Sequence, residues 1–305
     1  MNDISLDWLG VRTTPFQHLV GERQLMNFAA AVQSTRHAFY DDRAADGLAA
    51  FPTFSSYYSW RAVAQLWEQL RELGASDRVM NQQVHYRSVI TNHREFVAGE
   101  TVTVVAEVTG LRQHKAGTLL ATTVDMRAAD GTLICQELAE GMLRGIESPA
   151  GAHQFARAAA PTLAGPAKRN LDVRIQVGPL LAHQYDAGAD IHFPIHTSAR
   201  AAHDAGLPGI IVQGSATLGI CVDNVLDWLL PSADRAFVSQ VEGSFGTFLR
   251  PGTDVQLRAE ASAWNDGMAE VVFSLFSQDE KEIIRNGYIA VTAAGAGRSI
   301  GSGRS

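Results

Sequence analysis

The sequence predicts an α+β protein made of two similar halves, each a long central helix wrapped by antiparallel strands. Three observations predict it. The order short helix, loop, long helix and a run of strands occurs twice along the 305 residues, which points to a duplication. Each half holds one long helix whose apolar face needs a sheet to cover it. Each half then ends in four segments of strand character, separated by turns that contain glycine or paired acidic residues.

Taken in order, Asp7 to Leu19 reads as irregular. Glu22 to Gln33 reads as a short helix, with Leu25, Phe28, Ala29 and Val32 on one face. The aromatic stretches Phe39-Tyr40 and Phe51-Pro52-Thr53-Phe54 make a loop. Ser59 is expected to cap the long helix that carries Trp60, Val63, Ala64, Trp67 and Leu70, with Gly74 closing it. Strands are expected over 84–90, 101–108, 119–126 and 133–143, with turns at Gly99-Glu100, Ala116-Gly117 and Asp130-Gly131.

Residues 147–170, rich in Ala, Pro and Gly, read as a linker between a first unit over 1–146 and a second over 171–292. The second unit has a strand at 172–177, a short helix at 179–187 and a long helix over 214–230, stopped by Pro231. Strands follow at 236–243, 254–263, 269–277 and 283–291. The tail 293–305 is Gly/Ser/Ala-rich and is expected to be disordered.

Composition bounds the function. The chain is 46% hydrophobic and 19% charged, the usual globular mix. A net charge of −7 and a pI near 5.8 argue against a sequence-independent nucleic-acid binder. The start MNDISLDWLG lacks the pattern of a secretory signal, and no run of 18 uncharged apolar residues exists to span a membrane. Cys135 and Cys221, each within an apolar element, read as buried thiols in a reducing compartment. A cytoplasmic chain that meets neither nucleic acid nor membrane is the expectation.

The chemistry concentrates between Tyr185 and Leu230. Asp190, His192 and His196 lie within seven residues around Pro194, which forbids an ordinary helix there. Thr197 or Ser198 can cap the following ARAAHDA, and Leu207-Pro208-Gly209 ends it. Gly214 then opens a very apolar helix, offering free N–H groups and a positive dipole end. An acid–base pair beside an oxyanion donor is what addition of water to an activated double bond needs. On spacing alone, a plain reading stands beside it, in which Asp190 and His196 are solvated or cap nearby backbone.

The pattern Asp190-Ile-His-Phe-Pro194-Ile-His196-Thr, then Ala-Gly206-Leu-Pro-Gly209-Ile-Ile and Gln213-Gly214, resembles the hydratase motif of the MaoC-like, R-specific enoyl-CoA hydratase family. Phe193 stands where that family usually has Asn, and Gln213 where it often has His. The resemblance covers both halves and implies a double hot-dog fold, the first half being similar to the dehydratase-like half of such proteins. It implies that Asp190 and His196 handle the water while the Gly214 N–H holds the thioester oxygen. Tyr185, His192, Phe193, Gln213 and Arg250 are the further candidates for substrate contact, Arg250 reaching either solvent or the pyrophosphate of coenzyme A.

The implied activity is hydration of 2-enoyl thioesters, or dehydration of (R)-3-hydroxyacyl thioesters, carried on coenzyme A or an acyl carrier protein. Phe193 and Gln213 favour bulky or specialised acyl chains. No cofactor is expected, and a homodimer is a further implication. The alternatives are a repurposed dehydratase-fold catalyst of specialised metabolism and a non-catalytic acyl-thioester binder. The spacing of His192 and His196 is no zinc helix, because Pro194 lies between them.

Laid over the second half, Ala38-Phe39-Tyr40 falls on Pro194-Ile195-His196, and Ser34 on Asp190. The first half thus lacks the acid–base pair, and Tyr40 is expected to pack on the core. On the second long helix, Gly214, Ser215, Ala216 and Gly219 are small enough to let a ligand approach the backbone. The stripe Asp223, Asn224 and Asp227 is expected to face solvent or the pocket rim.

Overall fold

The computed structural model describes residues 4–152, 155, 159–230 and 235–293. The expected stop at Pro231 and the tail from 294 onward lie outside these residues. The first half contains β1 (Phe16–Leu19), α1 (Glu22–Ala31), α2 (Ser56–Glu72), α3 (Asp77–Asn81) and strands β2 (Gln83–Asn92), β3 (Thr101–His114), β4 (Gly117–Ala128) and β5 (Leu133–Arg144). The second half repeats it with β6 (Arg169–Gln176), α4 (Leu181–Ala189), α5 (Ala199–Asp204), α6 (Gly214–Leu229), β7 (Ala236–Phe245), β8 (Asp254–Ala261), β9 (Met268–Ser277) and β10 (Glu282–Ala293).

All ten strands form one antiparallel sheet, ordered β1-β3-β4-β5-β2-β7-β10-β9-β8-β6. Outward from the β2–β7 seam, the two sides read the same: β2-β5-β4-β3-β1 and β7-β10-β9-β8-β6. That symmetry is the duplication in three dimensions. It also shows that the first half has five strands. Phe16–Leu19 is the counterpart of β6, and a four-residue strand with polar alternation gives little sequence signal.

Strand burial follows the pleat. In β3 the residues Val102, Val104, Ala106 and Val108 point inward, and the threonines, Val105 and Glu107 between them do not. β8 alternates in the same way, with Val255, Leu257, Ala259 and Ala261 buried. On this face lie α2, through Val63, Leu66, Trp67 and Leu70, and α6, nearly all of whose side chains are buried. Trp8 meets Trp67 edge-on, with centroids 6.2 Å apart. Ala64 faces out, against expectation, and Ala62 and Leu66 take the core positions.

Three expectations need correcting. Ser59 is not the cap of α2, which starts a turn earlier at Ser56; the Ser59 hydroxyl points into the core at Glu137. Gly219 is small for packing rather than for ligand access: a Cβ there would come within 2.7 Å of Val32 Cγ1. The polar stripe of α6 is split: Asp227 is exposed as expected, whereas Asp223 turns in toward the loop after α1. There Arg36 pairs with Asp227 at 2.9 Å, and Asp223 is buried. Cys135 and Cys221 are buried free thiols, as expected. Among the described residues no helix is long and apolar enough to cross a membrane.

Candidate active site

Helix α4 ends on Asp190, whose backbone is left-handed (φ 53°, ψ 44°) and whose N–H donates to the Asp186 carbonyl. Short polar residues tolerate that conformation, and it reverses the chain. Ile191 is thereby turned inward and is 2% exposed. Asp190 and His192 are turned outward and pair with each other, His192 Nε2 to Asp190 Oδ1 at 2.9 Å, with side chains 49% and 78% exposed. Phe193 turns back in, and Pro194 opens a single 3-10 turn over Pro194–His196, its fixed φ suiting the first helical position.

His196 follows from that turn. Its Nδ1 lies 2.8 Å from the Ile211 carbonyl. A carbonyl only accepts, so Nδ1 carries the proton and Nε2 is left as a lone pair. Burial pushes the His196 pKa below the ordinary histidine value, the Ile211 carbonyl opposing it, so the ring is a neutral base near pH 7. Ser198 then caps α5 by accepting from Ala201 N–H, as the sequence predicted.

Helix α6 begins beside this ring. The Gln213 side chain is used elsewhere: its Nε2 donates to the Ala182 carbonyl and ties α4 to the start of α6. No side chain caps the helix, so its first N–H groups stay open. A Cβ at Gly214 would be crowded, 3.0 Å from His85 Nδ1 and 3.1 Å from Phe245 Cε1.

These groups line a cavity of about 870 Å³ whose walls come from both halves, among them Trp60, His85, Phe193, His196, Gly214 and Phe245. Trp60 is edge-on to His85 at 4.8 Å and to Phe193 at 5.8 Å, and His85 lies 4.2 Å from Phe245. The space suits an extended apolar ligand with a few fixed polar contacts. Its lining also includes the charged residues Arg144, Lys281 and Arg285, together with Glu282. An adjoining crevice of about 910 Å³, sharing Tyr86, His114 and Arg285, is lined by Arg87 and its partners Glu140 and Glu242. It carries the ion pairs of Arg87 with Glu140 and Glu242.

The structure therefore gathers His196, Gly214, Phe193 and Gln213 around one cavity and leaves four candidates outside its lining. Asp190 and His192 are paired at the surface, because the left-handed turn puts Ile191 on the cavity side. Tyr185 is fully buried in the core, 5.7 Å from Phe28. Arg250 is exposed on the turn before β8 and is not among the residues that line the cavity. The overlay of the halves also shifts by one. Gln33 shares the left-handed turn of Asp190, and the 3-10 turn His37–Phe39 matches Pro194–His196, so Phe39 occupies the place of His196. Tyr40 is structural, its hydroxyl donating to the Ser34 carbonyl at 2.6 Å.

The sequence reading missed Trp60, His85 and Phe245 as cavity walls. His85 had a faint signal: Val84-His85-Tyr86-Arg87 breaks strand alternation, and the β2 register slips between His85 and Arg87. A bulge of this kind re-aims side chains.

The fold and the site define a double hot-dog protein with a cavity lined by residues of both halves. Residues 166–277 match the MaoC like domain, and residues 7–137 the FAS1-like dehydratase domain region. Each half thus matches a dehydratase-type domain model, the second the MaoC-like one. A MaoC-like dehydratase structure superposes with a TM-score of 0.76 at 18% identity, covering 94% of this chain and 99% of the other. One from Phytophthora capsici gives 0.75 at 16% identity, covering 95% and 99%. A Mycobacterium tuberculosis protein described as a double hot-dog gives 0.62 at 17% identity, covering 95% and 97%. At these identities the likeness is one of fold. No curated protein matches the chain by sequence.

Proposed function

We propose that the protein adds water to 2-enoyl thioesters, or removes it from (R)-3-hydroxyacyl thioesters, with a preference for large acyl groups. The observation that carries this reading is the bare Nε2 of a neutral, partly buried His196 beside the uncapped start of α6. In the hydration direction, His196 Nε2 takes one proton from water as the oxygen bonds to C3. The C2–C3 π pair moves toward the thioester, whose oxygen gains charge and is held by the Gly214 N–H and the helix dipole. The proton on Nε2 then passes to C2, so atoms and charge balance with one residue as base and then acid.

The carrier is coenzyme A or an acyl carrier protein. Both present phosphate, and Arg144, Lys281 and Arg285 in the cavity lining suit it. Aromatic walls from Trp60, Phe193 and Phe245 support large acyl chains, which gain about 25 cal/mol per Å² of apolar surface buried. The two buried free thiols fit a reducing, cytoplasmic setting. Incubation of the purified protein with crotonyl-CoA and with longer or branched enoyl thioesters, following enoyl absorbance, tests the reading. Turnover that improves with acyl size is expected, and no loss of absorbance with any chain would overturn it.

A further inference from the structure

The crevice beside the cavity carries charge that the hydration chemistry does not use. Its wall gathers Arg87 from β2, Arg112 from β3, Lys115 from the turn after it and Arg285 from β10, with Glu140 of β5 and Glu242 of β7. Arg87 is occupied by the two carboxylates, 3.2 Å from Glu140 and 2.8 Å from Glu242, and all three side chains are nearly buried. Arg112, Lys115 and Arg285 form no ion pair among the described residues. Four cations thus face two carboxylates in a chain whose net charge is −7. A local positive surplus against an acidic whole points to an anionic ligand.

Tyr86, His114 and Arg285 line both this crevice and the cavity of His196 and Gly214, so the two spaces are neighbours across those three residues. The Arg285 guanidinium lies over the Tyr86 ring at 5.8 Å, and the Tyr86 and His114 rings are 5.8 Å apart. Farther in, Arg112 lies over the Phe155 ring at 5.1 Å. The two acyl carriers differ in what would stand here. Both have a pantetheine arm ending in one phosphate. Coenzyme A continues with a second phosphate, a phosphorylated ribose and a purine base, whereas a carrier protein continues as a folded surface. A walled crevice of about 910 Å³ with surplus cations and aromatic rings suits phosphates and a flat base.

We propose that this crevice takes the phosphorylated nucleotide end of the carrier, so that the substrate is a coenzyme A thioester, and that Arg112 and Lys115 select it over a protein-bound one. This rests on the hydratase reading above. Arg285, shared by the two spaces, meets the phosphate nearest the pantetheine arm. Arg112 and Lys115 line the crevice alone and meet the phosphates beyond it. The planar guanidinium can hold a phosphate through two N–H groups, and the lysine adds a mobile point charge. Arg250, the candidate for this contact in the sequence, lines neither space. The first half, which lacks the acid–base motif, thereby supplies the residues that choose the carrier.

The test measures kcat/KM in the full chain for one enoyl group carried on coenzyme A and on pantetheine, which has no phosphate. Wild-type is compared with the double variant Arg112→Gln, Lys115→Gln. The ratio of the coenzyme A value to the pantetheine value should fall at least about tenfold in the variant, as for loss of a charge-assisted contact. A general packing defect would lower both values and leave the ratio alone. Adenosine 3′,5′-bisphosphate should bind wild-type in calorimetry, compete with the coenzyme A thioester, and bind the variant several-fold more weakly. Lys115→Gln alone, an exposed change on a turn, decides by the same ratio if the double variant does not fold. An unchanged ratio in a folded variant overturns this proposal and leaves the hydratase reading standing, as does faster turnover of the carrier-protein thioester. A wild-type inactive on every thioester overturns the hydratase reading. Calorimetry then decides for the crevice: weaker bisphosphate binding by the variant supports the nucleotide site, and no binding by wild-type overturns it.

Discussion

The Nδ1–H of His196 donates to the carbonyl of Ile211 at 2.8 Å, and this one bond decides which nitrogen faces the cavity. Ile211 lies just before the start of α6, so the bond also couples the orientation of the ring to the position of the Gly214 N–H. The proposed base and the proposed oxyanion donor are held by one short stretch of backbone. The outward pair Asp190–His192 shares no hydrogen bond with it.

Asp190→Asn is therefore expected to be mild. Asn tolerates the left-handed turn as Asp does, and the carboxylate is half exposed. Turnover should stay within about twofold and stability within about 0.5 kcal/mol, as for surface changes. Steady-state kinetics check this, and a hundredfold fall in kcat would put the carboxylate back in contact with the water.

Gly214→Ala should fold and lose activity. The new methyl would lie 3.0 Å from His85 Nδ1 and 3.1 Å from Phe245 Cε1, pushing both rings out of place. A fall of at least about tenfold in kcat/KM is expected for a misplacement on this scale. Circular dichroism beside kinetics separates this from unfolding; near-normal kinetics would mean that the start of α6 does not contact substrate.

Phe193→Asn tests the size preference. Phe193 packs edge-on against Trp60 at 5.8 Å on the cavity wall. Shortening it removes apolar surface that a large acyl chain covers, so the ratio of kcat/KM for bulky over C4 substrates should fall. An unchanged ratio in a folded variant would show that the ring serves packing alone.

Asp223→Asn tests a cost built into the interface between the halves. Burial raises the Asp223 pKa to about 6; Asp227 adds to this, and Ser34 and Arg36 oppose it. The folded state thus holds this proton more tightly than the unfolded chain, so stability falls as pH rises from about 4 to 6. Near pH 8 the cost is about 3 kcal/mol, two pKa units at about 1.4 each. Asp223→Asn should raise the thermal midpoint at pH 8 and bring little gain at pH 4. Equal effects at both pH values would contradict the assignment.

Much of the fold was legible because it rests on local pattern. Strands such as β3 and β8 alternate cleanly, and α6 is bounded by Gly214. β1 escaped because four residues of Phe-Gln-His-Leu carry no period. Ser59 misled because serine is a common cap, whereas here it is a buried partner of Glu137. That His196 and Gly214 line one cavity was legible from a motif. Asp190 was misplaced because one left-handed residue decides which of Asp190 and Ile191 faces in, and sequence does not state φ. His85 was invisible because it reaches the cavity across the β2–β7 seam, a contact between halves that no local spacing encodes.

The most direct test is loss of enoyl absorbance on the best bulky 2-enoyl thioester, compared between wild-type and His196→Ala at equal thermal stability. The reading predicts measurable hydration by the wild-type chain and a fall in kcat of at least about a hundredfold on losing the bare Nε2. A His196→Ala variant that turns over at the wild-type rate would contradict it.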